Sequence, residues 1–378
     1  MIEKKRLQHL DFMKGIAIFL VIVIHLYVEK SNIFIQSLMH RICIPSFVFV
    51  TGYNFGFIED RPYISTTLKK LSYIIQMLGI YIFLTYMCTP KIFTTFDVVR
   101  NVLTGDIVNL GGAINVGIWY LPFYVSLFFI VFTMIKIAKA LYDNVLLKYG
   151  KWDKITYYII LVIVSLIIGF AKDQFNTDFY YLNHAVIMQP FAIFGYLIYH
   201  LEKYINDKIH NENETREETY NIKNGKINIA NIKNTISNIT KKSLPIIKFV
   251  IFIVSTILYV SLSRAYGLID IFGRLWTNQI ELYISCAFAI ISVYLFSKYI
   301  CDLISSFILV KFVSYMGKRS LHICSIHTLL FTFSQEYYNN LLRVLNVSID
   351  KTIIRLILHA TILTIISIVL SYIIEREK

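Results

Sequence analysis

"LDFMKGIAIFLVIVIHLY", residues 10–27, is an apolar run that carries Asp11 and Lys14 at its start and His25 near its end. A bilayer core about 30 Å thick is crossed by a helix of around 20 mostly apolar residues. This stretch is the first of a series. Working outward from it, comparable runs fall at 12–28, 42–58, 71–88, 118–136, 156–171, 184–200, 246–263, 280–297, 319–333 and 353–374. The whole chain has the same character: 56% of its 378 residues are hydrophobic and only 16% are charged, with a mean hydropathy of +0.60. Soluble domains average about 25% charged residues, so a soluble enzyme is excluded. The expected fold is all-α, a polytopic membrane protein of about ten transmembrane helices. No small-residue cleavage site follows the first run, so it reads as a span rather than a signal peptide.

The basic residues set the orientation. With the N-terminus inside, the inner segments carry 23 Lys or Arg and the outer segments 9, which by the positive-inside rule puts both termini in the cytoplasm. The net charge of +13 is then that of loops facing anionic membrane lipids, and no nucleic-acid partner is needed to explain it. The five cysteines have no paired spacing of the kind that holds zinc or a redox disulfide. Residues 202–243 stand apart, rich in Asn, Lys and Glu and without a face to bury, and read as a mobile cytoplasmic linker. The chain thus divides into 1–201 with six helices, the linker 202–243, and 244–378 with four helices, forming one membrane domain. The outer segment 89–117 is long enough to fold back over a site.

Lys14 and His25 are eleven residues apart, about 1100° of helical rotation and therefore within about 20° of the same face, separated by roughly 16 Å along the axis. Asp11, three residues before Lys14, is placed to pair with it. Glu29, four after His25, is placed to accept a hydrogen bond from the imidazole and fix its tautomer. Taken singly, each has a plain structural role: a snorkelling Lys14, a helix-capping Asp11, a His25 wetted at the interface. Together on one intramembrane face they form a candidate functional site. The second span holds Arg41 at its outer end and Thr51-Gly52 in its middle, where a glycine serves close packing. The ninth span, "YMGKRSLHICSIHTLLFTF", carries Ser320, His322 and His327. The two histidines are about 140° apart around the helix, which disfavours a shared zinc ion, and no metal is expected.

The segments "LDFMKGIAIFLVIVIH", "IPSFVFVTGY", "IWYLPF" and "MGKRSLHICSIH", in that order, resemble the acyltransferase 3 family of integral membrane acyltransferases. The resemblance covers the chain apart from 202–243. In that family the first helix carries a basic residue, usually Arg, at this spacing from a His; here the pair is Lys14 and His25. A Lys keeps the charge and gives up bidentate recognition. The resemblance implies transfer of an acyl group, most often acetyl, from cytoplasmic acetyl-CoA as donor to a hydroxyl of a cell-surface glycan or lipid-linked sugar, in the cell membrane of a bacterium. Under it, His25 is the expected general base, with acyl passing either directly or through an acyl-histidine intermediate, Arg41 a candidate for stabilising the oxyanion or positioning the acceptor, and His327 or Glu336 candidates for proton transfer. Asp11, Lys14, Lys69 and Lys70 are expected at the donor's phosphates. A second reading is a polysaccharide or solute exporter, in which the same buried charges line a path; the absence of an evident inverted repeat argues against it.

Overall fold

The computed structural model describes residues 7–26, 33–88, 116–146, 154–171, 179–220, 229–267, 278–330 and 352–376, together with Arg100. The described residues contain no strand. The helices are α1 (Gln8–Leu26), α2 (Ile33–Phe55), α3 (Tyr63–Cys88), α4 (Tyr120–Leu141), α5 (Lys154–Phe170), α6 (Leu182–Tyr220), α7 (Ile229–Tyr266), α8 (Gln279–Ile304), α9 (Ile308–Lys318), α10 (Ser320–Leu330) and α11 (Thr352–Arg376). Among the described residues, α1, α2, α3, α4, α6, α7 and α8 are long and apolar enough to cross a membrane, and three shorter apolar helices lie within α5, α10 and α11. The protein is an all-helical polytopic membrane protein, and these ten elements overlap the ten runs read from the sequence.

Helix ends meet in two sets. At one end, Gln8 donates to the Ser305 carbonyl at 3.1 Å, Lys136 to the carbonyls of Glu59 and Arg61, and Lys298 to Glu202, which also accepts from Tyr53 at 2.7 Å. The start of α1, the end of α2, the end of α4 and the end of α8 therefore lie together. At the other end, Arg41 near the start of α2 bonds Glu281 at the start of α8 and the Gly267 carbonyl just past α7. Successive long helices thus run in alternating directions, as short connections across a bilayer require. Arg61, Lys136, Lys139 and Lys298 gather at the first set, the basic end.

Two departures from the sequence expectation have a physical cause. The second and third helices begin at Ile33 and Tyr63, well before the apolar runs at 42 and 71, because a polar side chain in a membrane helix is tolerated when the protein supplies its partners. The segment expected as a linker is helical in part: α6 runs on to Tyr220 and α7 starts at Ile229. A helix already nucleated in the adjoining span propagates through Lys, Glu and Ile at a cost of roughly a few tenths of a kcal/mol per residue. The segment 89–99 and most of 101–117 lie outside the described residues.

Close helix contacts are built on glycine. A Cβ at Gly52 of α2 would lie 1.7 Å from the Ala192 carbonyl oxygen of α6, and one at Gly195 of α6 would lie 2.0 Å from the Phe49 carbonyl oxygen of α2. With no hydrophobic drive between helices in lipid, such backbone proximity is what makes the packing favourable. Gly52→Ala is expected to separate α2 from α6 and to destabilise by about 1–3 kcal/mol or more, as overpacking does. Gly79→Ala, where nothing stands within 4 Å, should instead be neutral or stabilising by roughly 0.5–1 kcal/mol. Thermal transitions of the two variants in detergent, measured side by side, check both signs; equal shifts would refute the packing account.

Candidate active site

Helix α1 positions the first group of site residues. Asp11 and Lys14 face each other one turn apart, with Nζ 2.9 Å from Oδ1, the pairing that their spacing predicts. Helix α9 crosses here at backbone contact: a Cβ on Gly15 would stand 1.9 Å from the Val313 oxygen, and one on Gly317 1.7 Å from the Asp11 oxygen. The two glycines let α9 lie directly on α1, which brings Lys318 and Arg319 to the level of Lys14.

The result is a cavity of about 360 Å³ whose polar lining includes Lys14, Lys70, Lys318, Arg319, His322 and Tyr73. It shares Thr51, Asn54, Lys70, Tyr73 and Tyr124 with a wider groove of about 690 Å³ that runs to Arg61 and Lys69 in the loop and first turns between α2 and α3. The two form one cationic passage from the basic end into the helix bundle. Its mouth is held in place by Glu59, which accepts from Tyr196 Oη at 2.5 Å and from His200 Nε2 at 3.0 Å. Burial opposes ionisation of Glu59, but the hydrogen bonds from His200 and Tyr196 outweigh it and hold the carboxyl below its ordinary range.

The other end of the same α1 face meets α10. His25 and His327 place their ring centroids 5.1 Å apart with planes inclined at 49°. His327 is 1% exposed, and its Nδ1–H donates to the carbonyls of Cys324 at 2.9 Å and Ile323 at 3.1 Å. That fixes the lone pair on Nε2, which has no hydrogen-bond partner among the described residues. A buried acceptor left unpaired costs about 1–3 kcal/mol, an expense that marks functional sites. The "GIWYLPF" segment packs against His327 from one side. Gly117 N donates to Thr328 Oγ1 at 3.1 Å, and a Cβ at Gly117 would lie 3.0 Å from His327 Cε1; Trp119 then packs against Tyr181 and His184.

The sequence-predicted residues therefore fall into three groups. Lys14, Lys69 and Lys70 line the passage, with Asp11 bound to Lys14. His25 and His327 meet at the far end. Arg41 joins neither: it is fully buried, with Nη2 2.6 Å from Glu281 Oε1, Nε 3.0 Å from Ser285 Oγ, and Nη1 donating to Ser37 and to the Gly267 carbonyl. Its guanidinium is engaged as a clamp between α2, α7 and α8. Glu29 and Glu336 lie outside the described residues. Sequence reading passed over Arg61, Tyr73, Lys318 and Arg319 as site residues, and noted His322 in the ninth span without giving it a role. Lys318 and Arg319 had a signal, two adjacent cations opening an apolar helix; the others are joined to the site only by the tertiary fold.

A family model described as an acyltransferase domain, that of the acyltransferase 3 family, matches residues 7–376. The chain belongs to the acyltransferase 3 family. It is a membrane acyltransferase, and the match takes in α1 to α11, so the passage and the histidine pair both lie within the acyltransferase domain. No curated protein and no solved structure gives a significant match. In this acyltransferase, a cationic passage and a pair of facing imidazoles, one of them buried, are thus set along one face of α1.

Proposed function

We propose that this acyltransferase moves an acyl group, acetyl in the simplest case, from coenzyme A at the cytoplasmic, basic end to a hydroxyl of a cell-surface glycan or lipid-linked sugar at the opposite end. The observation that supports this most directly is the shared α1 face: Lys14 lines the cationic cavity, and His25 further along the helix faces His327. Phosphates of the donor suit Arg61, Lys69 and Lys70 at the mouth, since charge-assisted hydrogen bonds to phosphate are about twice as strong as neutral ones. The pantetheine arm then follows the cavity past Lys14 and Lys318 into the bundle.

A sugar hydroxyl is a weak nucleophile at neutral pH and needs a base as it attacks the thioester carbonyl. His25 takes that proton. The oxygen–carbon bond forms, the carbon–sulfur bond breaks, and the proton lost by the hydroxyl is balanced by one gained by the departing thiolate. His327, with its lone pair on Nε2, stands beside His25 to receive or return the proton.

Membranes containing the protein, supplied with radiolabelled acetyl-CoA, should label a surface glycan, and the glycan should gain one acetyl mass. The paired change Lys69→Gln and Lys70→Gln is expected to raise KM for acetyl-CoA about tenfold or more through lost phosphate contacts while leaving kcat nearly unchanged, and the wild-type KM should rise with salt. No label from acetyl-CoA, with solute flux that persists without coenzyme A, would replace this reading with the exporter.

A further inference from the structure

One imidazole inside the cationic cavity has no part in that scheme. His322 is 5% exposed and lines the cavity together with Lys14, Lys70, Lys318 and Arg319. Two tyrosines of α3 reach it: Tyr81 Oη lies 2.7 Å from Nδ1, and Tyr73 Oη lies 3.4 Å from Nε2. Tyr81 is 1% exposed, and among the described residues its hydroxyl meets His322 Nδ1. A buried phenol proton requires an acceptor. Nδ1 is the acceptor within reach, so Tyr81 donates to it, and in the neutral ring the proton then sits on Nε2. The longer contact with Tyr73, a half-exposed residue at the cavity wall, is one that a ligand oxygen can replace.

An N–H donor whose tautomer is fixed by a buried phenol is an arrangement that stabilises an oxyanion without reorganising during the reaction. We propose that His322, its tautomer set by Tyr81, is a catalytic residue that donates from Nε2–H to the carbonyl oxygen of the acyl thioester as the tetrahedral adduct forms. This rests on the acyl-CoA reading above. The acceptor oxygen adds to the carbonyl carbon and its proton passes to His25, while the carbonyl electron pair moves onto the oxygen facing His322. Collapse restores the carbonyl, breaks the carbon–sulfur bond, and the thiolate leaves and takes up a proton. His322 donates a hydrogen bond throughout and transfers no proton. Tyr81 is a positioning residue.

The full-length protein in lipid nanodiscs, assayed with acetyl-CoA, tests this. His322→Ala is expected to lower kcat about 100- to 1000-fold, as loss of one oxyanion donor does, with KM for acetyl-CoA changed less than about threefold. His322→Gln, which keeps an N–H donor, should recover about tenfold of that loss, and Tyr81→Phe should lower kcat about tenfold. An unchanged kcat in His322→Ala would overturn the proposal. So would a loss shared equally by Ala and Gln and matched by an equal fall in thermal transition, which is the behaviour of a pin between α3 and α10. Absence of turnover in the wild type would overturn the acyl-CoA reading itself, and is read separately from either result.

Discussion

His25→Ala is expected to abolish acetyl transfer, lowering kcat by about 100- to 10,000-fold, the range attributed to a positioned general base. Binding of acetyl-CoA should survive. Lys14, the nearest donor-side cation on the same helix, is roughly 16 Å away along the axis, and the mouth of the passage is formed by other elements, so removing the imidazole leaves the cationic contacts intact. The loss therefore belongs in kcat with little change in KM. His327→Ala should be the milder variant. Its imidazole faces His25 at 5.1 Å, and in the proposed scheme it handles the proton only after abstraction, so kcat should fall while some transfer remains. Labelling of the glycan at the wild-type rate by His25→Ala, with normal amounts of protein in the membrane, would remove His25 from the chemistry and leave His327 as the candidate base. Protein amount has to be measured in both, because His327 is packed against Gly117 and a cavity there weakens that contact.

The parts of this arrangement that could be read from the sequence are those written along a single helix. The spacing of Asp11, Lys14 and His25 needs only helical geometry, and the structure has Lys14 at the cavity where α9 crosses α1 and His25 at His327 of α10. What could not be read is what one helix brings to another. His322 and His327 diverge by about 140° on α10, which made them look unrelated. In the fold that divergence gives them different neighbours, the α3 tyrosines for His322 and His25 for His327. Lys318 and Arg319 reach Lys14 only because Gly15 and Gly317 let α9 touch α1, and nothing local in either segment announces that contact. The starts of α2 and α3 were hidden by polarity: Ser37, His40 and Arg41 interrupt one run, Lys69 and Lys70 the other. A hydropathy reading scores a side chain as though lipid were its surroundings, whereas Arg41 is surrounded by Glu281, Ser285 and Ser37.

That clamp is where the second large effect is expected. Arg41 and Glu281 are 0% and 3% exposed at their side chains, so Glu281→Ala leaves a guanidinium in the bundle without its counter-charge. Breaking a buried pair by removing one partner costs about 3–5 kcal/mol, while replacing both by apolar residues of similar volume is often neutral. Glu281→Ala should therefore give little folded protein, and the double variant Arg41→Met, Glu281→Leu should recover most of the amount and the thermal transition. The double variant also separates two roles for Arg41. As a clamp between α2, α7 and α8, its charge is dispensable once its partner's is gone, and the recovered protein should turn over acetyl-CoA within a few-fold of wild type. As an oxyanion or acceptor group, its charge is needed by the substrate, and the recovered protein should fold normally with kcat lowered about 100-fold or more. The geometry favours the clamp, because Nε, Nη1 and Nη2 all have protein partners within hydrogen-bond distance, so that turning the group to a substrate would strand Glu281. A folded, inactive double variant would show that the reaction needs the Arg41 charge despite this cost.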